Sequence, residues 1–184
     1  MVEDQLSHNN TRKNPYNYFM KKILILLFIL SLNNQVLAAG SDSSSSSSSE
    51  SSSTALYDQA VKLVKRAGNL EKKEKDEKAK KLYSQAFKKL NTAYTSDKKN
   101  PDILNYMGFT SRKTGNFEEA ENYYLKGLDL DPKHNGINEY LGELYVQTNR
   151  IDKAKGRLAV LKNCNCEEYQ ELELIIKTRG TKIY

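Results

Sequence analysis

Two cysteines and one histidine are the side chains best suited to chemistry in the C-terminal part of the chain. Cys164 and Cys166 are the only cysteines, and one residue separates them. A bond across a single residue is strained and easily reduced, so the pair could act in redox exchange. A structural zinc site usually has four ligands, and only His134 could add one here. We favour a structural role for the pair, as a disulfide or as packed thiols, with redox exchange as the alternative.

No other feature of the sequence indicates catalysis. His134 stands alone after Asp131-Pro132, where a polar surface residue is expected. No serine or cysteine lies in a recognisable nucleophile motif, and the sequence has no glycine-rich loop of the phosphate-binding type. The sequence therefore predicts a protein that is not an enzyme and that holds no cofactor or metal.

An apolar stretch near the N-terminus predicts export. Two lysines precede ten mainly apolar residues, 23–32. This stretch is shorter than the roughly 20 residues of a transmembrane helix and fits the core of a signal peptide. We expect a bacterial signal peptide over residues 20–38, cleaved after Ala38, and a periplasmic or secreted protein with no membrane span after cleavage. Residues 1–19 are unlike a signal-peptide start and are interpreted as a misassigned extension.

The next residues are polar, and the charges of the chain are mixed. Residues 39–53 are dominated by serine, bury little apolar area and are predicted to form a disordered linker to a domain over 54–184. The chain carries a formal net charge of +6, from 29 Lys and Arg against 23 Asp and Glu. Because the two signs are interspersed, we expect a solvated surface and no nucleic-acid partner.

A period of 34 residues runs through the rest of the chain. When the chain is shifted by 34, three sets of residues coincide: Ala86, Ala120 and Ala154; Tyr83, Phe117 and Ile151; Leu90, Tyr124 and Leu158. Positions three and four apart share one face of a helix, so each unit is predicted to be a helical hairpin, with Phe117, Ala120 and Tyr124 in one stripe. Turn residues support this division: Gly115-Asn116 and Asn149-Arg150 between helices, and Asp131-Pro132 after a second helix.

The spacing within the unit resembles the tetratricopeptide repeat (TPR), whose pattern is W-x2-L-G-x2-Y, then A-x3-F, then P. The matching residues are Gly108, Ala120 and Pro132 within 101–134, and Gly142 and Ala154 within 135–161. The tryptophan is absent, since the chain has none. The resemblance implies an all-α, short TPR helical-hairpin solenoid of about two and a half repeats, with a C-terminal capping helix.

The two ends of this array are less regular. Residues 54–98 are predicted to be a degenerate repeat, whose first helix stops at Gly68 before a charged, solvated helical lead-in over 71–78. The capping helix is predicted over 167–178, with Asn165 as its N-cap. In the exported bacterial TPR proteins that the chain resembles, a cysteine pair precedes such a helix, which implies that the pair here locks the cap.

The same resemblance implies where a partner would bind. In TPR proteins the first helices of the hairpins line a concave groove, and the matching positions here are Asn105, Phe109, Arg112, Glu139 and Glu143. Chaperone-binding TPR domains hold a C-terminal carboxylate with a lysine- and asparagine-rich clamp, which this chain lacks. A peptide with an apolar anchor and a basic residue is therefore the better match.

The resulting prediction is a non-enzymatic protein–protein interaction module or scaffold in the bacterial periplasm. Its partner would be another protein or a peptide, bound in the concave groove. A redox-active accessory protein that uses Cys164 and Cys166 is the alternative.

Overall fold

The computed structural model describes residues 45–180 of the 184-residue chain, with side chains described from residue 52. This part is helical and contains no strand, as predicted. The helices are α1 (Ser45–Glu71), α2 (Asp76–Ser96), α3 (Pro101–Lys113), α4 (Phe117–Leu130), α5 (Asn135–Gln147), α6 (Ile151–Leu161) and α7 (Glu167–Lys177). Among these seven, none combines the length and the hydropathy that a bilayer crossing requires. The predictions for residues 1–19 and 20–38 lie outside the described residues.

Consecutive helices pair into three hairpins, α1/α2, α3/α4 and α5/α6, and α7 packs on the last of them. The first helices of successive hairpins contact one another, and α5 also contacts α7. Within residues 45–180, no backbone contact joins the second helices of successive hairpins. The backbones of the second helices are thus farther apart than those of the first helices, although side chains such as Phe87 and Tyr123 still meet between α2 and α4. A stack of this kind curves with the first helices inside. The first helices and α7 therefore line the concave side, which we call the inner face.

The turn inside a hairpin follows the 34-residue period. Gly115 adopts a φ of +91° after α3, and Asn149 adopts a φ of +57° at the equivalent place after α5. In the first turn the Asn116 N–H donates to the Ser111 carbonyl at 2.9 Å, and the equivalent bond after α5 measures 2.7 Å. These bonds satisfy carbonyls that the end of a helix would otherwise leave unpaired. The helix ends predicted at these turns are confirmed.

Local signals also set the ends of the second hairpin. The side chain of Asn100 accepts hydrogen bonds from the first backbone N–H groups of α3, and Pro101 takes the first helical position, where its missing N–H removes no intrahelical bond. Helix α4 ends at Leu130, directly before Asp131-Pro132, as predicted.

Small residues allow the two helices of a hairpin to approach closely. Ala86, Ala120 and Ala154, the alanines of the 34-residue period, are completely buried. A Cβ added to Gly108 in α3 would lie 2.5–2.8 Å from ring carbons of Tyr124 in α4. Real Cβ atoms do not make contacts this short, so only glycine fits beside the buried ring.

Gly142 occupies the equivalent position in α5 but faces a different element. A Cβ at this position would lie 2.5 Å from a side-chain carbon of Leu172 in α7. Leu172 and Ile175 of α7 are completely buried. The last helix thus covers the apolar side of the final hairpin, as a solenoid cap must.

The first hairpin is longer than the sequence predicted. Helix α1 begins at Ser45, within the segment assigned to a linker, and continues through Gly68 to Glu71. Ser53 is buried, and its hydroxyl donates to the Ala93 carbonyl of α2 at 3.2 Å. The contact of Ser53 with α2 thus supports a helix where serine composition alone does not favour one.

The predicted helical lead-in over 71–78 is wrong for residues 72–75, although residues 76–78 are helical. Residues 72–75 form a turn, in which Glu74 has a φ of +55°, and α2 begins at Asp76. The turn is placed after Glu71 because that carboxylate, in the last turn of α1, accepts a hydrogen bond from the Tyr83 hydroxyl at 2.9 Å. A contact between helices therefore overrides the stop signal at Gly68.

Two single residues also differ from the sequence prediction. Phe117 does not join the buried stripe of α4 and is 39% exposed, because it is the first residue of the helix and lies beyond the end of α3. The N-cap of α7 is Cys166 rather than Asn165. Asn165 has a φ of +51°, a left-handed conformation that asparagine tolerates better than most residues.

We expect Gly108→Ala to destabilise the protein. The added methyl group would overlap the buried Tyr124 ring, and overpacking of this kind costs about 1–3 kcal/mol. Gly156→Ala is the matched control, because nothing lies within 4 Å of its added Cβ and alanine is the better helix former by about 1 kcal/mol. Urea unfolding followed by circular dichroism measures both variants. Equal effects would contradict the close packing of α3 on α4.

Candidate functional site

A row of aromatic side chains crosses the inner face. Tyr57 of α1, Tyr106 and Phe109 of α3, and Tyr140 of α5 are all partly exposed. The ring centroids are 5.6 Å apart for Tyr57 and Tyr106, 6.4 Å apart for Tyr106 and Phe109, and 4.9 Å apart for Phe109 and Tyr140. Aromatic rings at these separations attract one another in tilted and edge-to-face arrangements. These four residues, the aromatic row, therefore link three first helices through one apolar surface.

Arg112 of α3 and Glu143 of α5 form an ion pair beside the aromatic row, and both side chains are buried. Arg112 also donates to Gln147 Oε1 at 3.2 Å, and its guanidinium lies 5.4 Å from the ring centroid of Phe109 and 5.8 Å from that of Tyr140. Burial raises the pKa of the Glu143 carboxyl, and the charge of Arg112 acts in the opposite direction. Each charge makes the burial of the other tolerable.

The other cation of this region, Lys113, is paired as well. Its Nζ lies 2.7 Å from Oε2 of Glu71, the oxygen to which the Tyr83 hydroxyl also donates. The ammonium lies 5.7 Å from the ring centroid of Tyr83 and 5.9 Å from that of Phe109. Burial, and then the charge of Glu71, raises the pKa of Tyr83, so the phenol remains a donor at neutral pH. Arg112 and Lys113 are therefore both committed to carboxylates of the protein itself.

Two further polar residues of the inner face, Asn105 and Glu139, are buried, at 6% and 3% exposed. Oδ1 of Asn105 has no hydrogen-bond partner, while Glu139 shares a side-chain hydrogen bond with Glu171 of α7. The side-chain nitrogen of Asn105 lies 2.8 Å from the position that a Cβ of Gly136 would take. Gly136 precedes Glu139 by one turn of α5, so Asn105 packs against α5 one turn before Glu139.

Glu139 also lies among other carboxyl groups. Burial, followed by a side-chain hydrogen bond with Glu171 of α7 and then by the charges of Glu143 and Glu168, raises the pKa of Glu139 to about 10. The carboxyl group is therefore protonated at neutral pH. A protonated acid costs far less to bury than a carboxylate, and this explains how the side chain can lie here without a cation.

The five residues predicted for the groove all lie on first helices, but they are not equally free. Phe109 belongs to the aromatic row, while Arg112 and Glu143 bind each other. Asn105 and Glu139 are buried, and Glu139 is hydrogen-bonded to Glu171 of α7. The structure thus divides the predicted groove into an apolar surface, a neutralised ion pair and two buried polar residues.

Sequence reasoning did not assign the three tyrosines of the aromatic row to the binding surface. A signal for two of them was present, because Tyr106 and Tyr140 are related by the 34-residue period. Tyr57 has no such relation to them, and only the packing of α1 on α3 places its ring beside Tyr106.

His134 connects two hairpins. Its Nδ1 accepts a hydrogen bond from the Ile137 N–H at 3.2 Å and so caps α5, and its Nε2 lies 3.1 Å from Oδ1 of Asp102 in α3. Because Nδ1 accepts, Nε2 carries the proton and donates to Asp102. This histidine is therefore a structural residue in the turn where the sequence predicted a polar surface side chain.

Cys164 and Cys166 are joined by a disulfide between α6 and α7. The Cys164 N–H donates to the Leu161 carbonyl at 3.0 Å, and Cys166 is the N-cap of α7. The bond thus closes the turn that leads the chain into the cap. Within residues 45–180, no group of three or more His, Cys, Asp or Glu side chains is placed to hold a metal ion.

Residues 101–134, which contain α3 and α4, match the tetratricopeptide repeat family model. Together with the stacking of the three hairpins, this match defines the described part of the chain as an all-α solenoid of tetratricopeptide repeats. No curated protein matches the chain in sequence.

Several solved structures are similar to this chain at low sequence identity. One is the type III secretion chaperone SycD of Yersinia enterocolitica in complex with a peptide of the translocator YopD, with 19% identity over 67% of this chain and 90% of that chain and a TM-score of 0.47. Another is the second TPR domain of human RPAP3 in complex with an HSP70 peptide, with 19% identity over 66% of this chain and 98% of that chain and a TM-score of 0.42.

Removing one partner of the Arg112–Glu143 pair is expected to destabilise the protein strongly. Arg112→Met leaves Glu143 buried without a counter-charge, and losses of this kind amount to about 3–5 kcal/mol. The double variant Arg112→Met/Glu143→Leu removes both charges and is expected to regain roughly half of that loss or more. A double-mutant cycle from urea unfolding measures the coupling. Strictly additive effects would show that the two side chains do not interact.

Proposed function

We propose that the protein is a non-enzymatic interaction module of the bacterial periplasm, which holds an extended segment of a partner protein on its inner face. The aromatic row carries this proposal, because four partly exposed rings in mutual contact form a preorganised apolar surface. Aromatic side chains are enriched in protein interfaces, where they supply large contact areas at small entropic cost.

The charges beside the aromatic row select against an acidic segment. Lys113 is bound to Glu71 and Arg112 to Glu143, so an anionic ligand would have to break an existing ion pair. A C-terminal carboxylate is bound tightly where cationic donors are free to reach it. Segments with apolar side chains and no net negative charge are therefore the better ligands.

The proposed compartment rests on the signal peptide predicted for residues 20–38. The disulfide between Cys164 and Cys166 supports it, because disulfides persist in oxidising compartments such as the periplasm. Redox exchange at this disulfide remains the alternative function, since both cysteines are partly exposed.

Phe109→Ala is expected to weaken partner binding. Phe109 contacts three other rings, those of Tyr83, Tyr106 and Tyr140, and so lies at the centre of the apolar surface. Loss of an interface hot spot costs about 2 kcal/mol or more, which corresponds to roughly 30-fold in affinity. Affinity capture from periplasmic extract with residues 39–184, followed by mass spectrometry and calorimetry with the captured protein, measures the change.

The matched control for this experiment is Phe117→Ala. It makes the same chemical change at an exposed position at the start of α4, a second helix that does not line the inner face. Circular dichroism checks that both variants are folded. A partner that binds both variants as tightly as the unmodified protein would overturn the assignment of the inner face.

Thiol titration separates the interaction module from the redox alternative. We expect mild reductant to leave the Cys164–Cys166 disulfide largely intact, because the packed cap keeps the two thiols together and favours their bond. The double variant Cys164→Ser/Cys166→Ser should still capture the partner. Rapid thiol exchange, together with loss of capture in the double variant, would favour the redox function.

A further inference from the structure

We propose that the inner face binds a proline-rich segment of the partner in the polyproline II conformation. The prolines of the segment lie on the aromatic row, and its carbonyls accept hydrogen bonds from the hydroxyls of the three tyrosines in that row. This inference rests on the proposed function, since it names the kind of segment that the inner face holds.

Three unpaired hydroxyls distinguish the aromatic row from a purely apolar surface. Within the part of the chain that the structure describes, the hydroxyls of Tyr57, Tyr106 and Tyr140 have no hydrogen-bond partner in the protein, and none of them is enclosed. The hydroxyl of Tyr124, by contrast, is fully buried. Because the three side chains of the row are partly exposed, a bound segment can reach their hydroxyls.

The three phenols remain protonated, and therefore remain donors, at neutral pH. Burial, followed by the charge of Asp102, raises the pKa of both Tyr57 and Tyr106. Burial, followed by the neighbouring carboxyl of Glu139, raises the pKa of Tyr140. A protonated phenol donates one hydrogen bond, so the row offers three donors along its length.

Acceptors are scarcer than donors beside the aromatic row. Asn105 and Glu139 are buried, and Glu143 is already paired. An ordinary extended segment brings a backbone N–H for each carbonyl, and these N–H groups would meet few acceptors on this surface. Proline has no N–H, so a proline-rich segment brings carbonyls almost alone. The hydrogen-bonding groups of the row thus match such a segment better than a β-strand.

The polyproline II conformation leaves the carbonyls of the segment free to accept. It has no internal hydrogen bonds, whereas an α-helix uses its own carbonyls. It rises about 3.1 Å per residue, so two residues cover about 6 Å. Neighbouring ring centroids of the aromatic row are 4.9–6.4 Å apart, so the segment passes one ring about every two residues. Grooves lined with aromatic side chains are a recurrent binding site for proline-rich segments.

The charges beside the aromatic row also favour an uncharged segment. Arg112 is bound to Glu143, and Lys113 is bound to Glu71, so neither cation is free to bind an anionic residue. Proline carries no charge, and its fixed φ reduces the conformational entropy that the segment loses on binding.

The test uses a library of synthetic peptides of about eight residues, acetylated and amidated at their ends, with the disulfide-bonded protein. Proline and other apolar, aromatic, neutral, acidic and basic residues vary at every position, and calorimetry measures the affinities. Tight binders are expected to carry several prolines. Replacing a central proline by alanine should weaken binding about two- to fivefold, because alanine leaves the free peptide more flexible.

Tyr57→Phe, Tyr106→Phe and Tyr140→Phe test the protein side of the same contacts. Each variant keeps the ring and removes a hydroxyl that has no partner in the described part of the protein, so we expect the fold to be retained. Each should weaken binding of the proline-rich peptide about two- to tenfold, as the loss of a neutral hydrogen bond does.

Tyr94→Phe is the matched control. It makes the same change at a partly exposed tyrosine of α2, a second helix that does not line the inner face. This variant should bind the peptide as the unmodified protein does. Circular dichroism checks that all four variants are folded.

The outcomes distinguish this inference from the function on which it rests. Tight binders without an excess of proline, or with apolar residues at the three- and four-residue spacing of a helix, would overturn it, as would affinities that none of the three inner-face variants lowers. If those binders still require Phe109, the interaction module stands. A library without any binder, or peptides that bind Phe109→Ala as tightly as the unmodified protein, would contradict the proposed function and the proline preference together.

Discussion

The contact between the two helices of each hairpin is the constraint on which the rest of the structure depends. The alanines of the 34-residue period have no exposed surface, and Gly108 faces the buried ring of Tyr124 at a distance that excludes any side chain. Because the helices of a hairpin lie so close, successive hairpins stack in register and their first helices meet along one side. The inner face exists only because this stacking is regular.

The Arg112–Glu143 pair gives the inner face its chemical character. It joins α3 to α5 and removes both charges from the set that a ligand could reach. Lys113 and Glu71 do the same between α3 and α1. The charged residues of the predicted groove thus pair with one another and support an aromatic surface. Glu139 is a buried acid that has no cation as a partner.

Most of the fold could be predicted from the sequence, because its signals are local. The turn residues Gly115 and Asn149 and the proline after α4 act within one or two turns of helix, and the structure contains each of them as expected. The 34-residue period repeats such local signals from one hairpin to the next. The extension of α1 beyond Gly68 could not be predicted, because a contact with Tyr83 of the next helix determines it. Local propensity is outweighed wherever such tertiary contacts compete with it.

The candidate site could be predicted only in part, for the same reason. The period placed Phe109 and Glu139 on first helices, and both lie there. Whether a charged residue is free or paired depends on partners from another hairpin, as for Arg112 and Glu143, which are 31 positions apart in the chain. The sequence alone contains no signal for that choice, and it therefore could not show that these two charges are already paired with each other.

The number of first helices sets a length as well as a surface. Four helices, α1, α3, α5 and α7, lie side by side along the inner face. At about 9 Å between neighbouring helices they span roughly 27 Å. An extended chain rises about 3.3 Å per residue, so the inner face matches a segment of roughly eight residues. Because α7 closes one end of the stack, an additional hairpin between α6 and α7 would lengthen the inner face by one first helix.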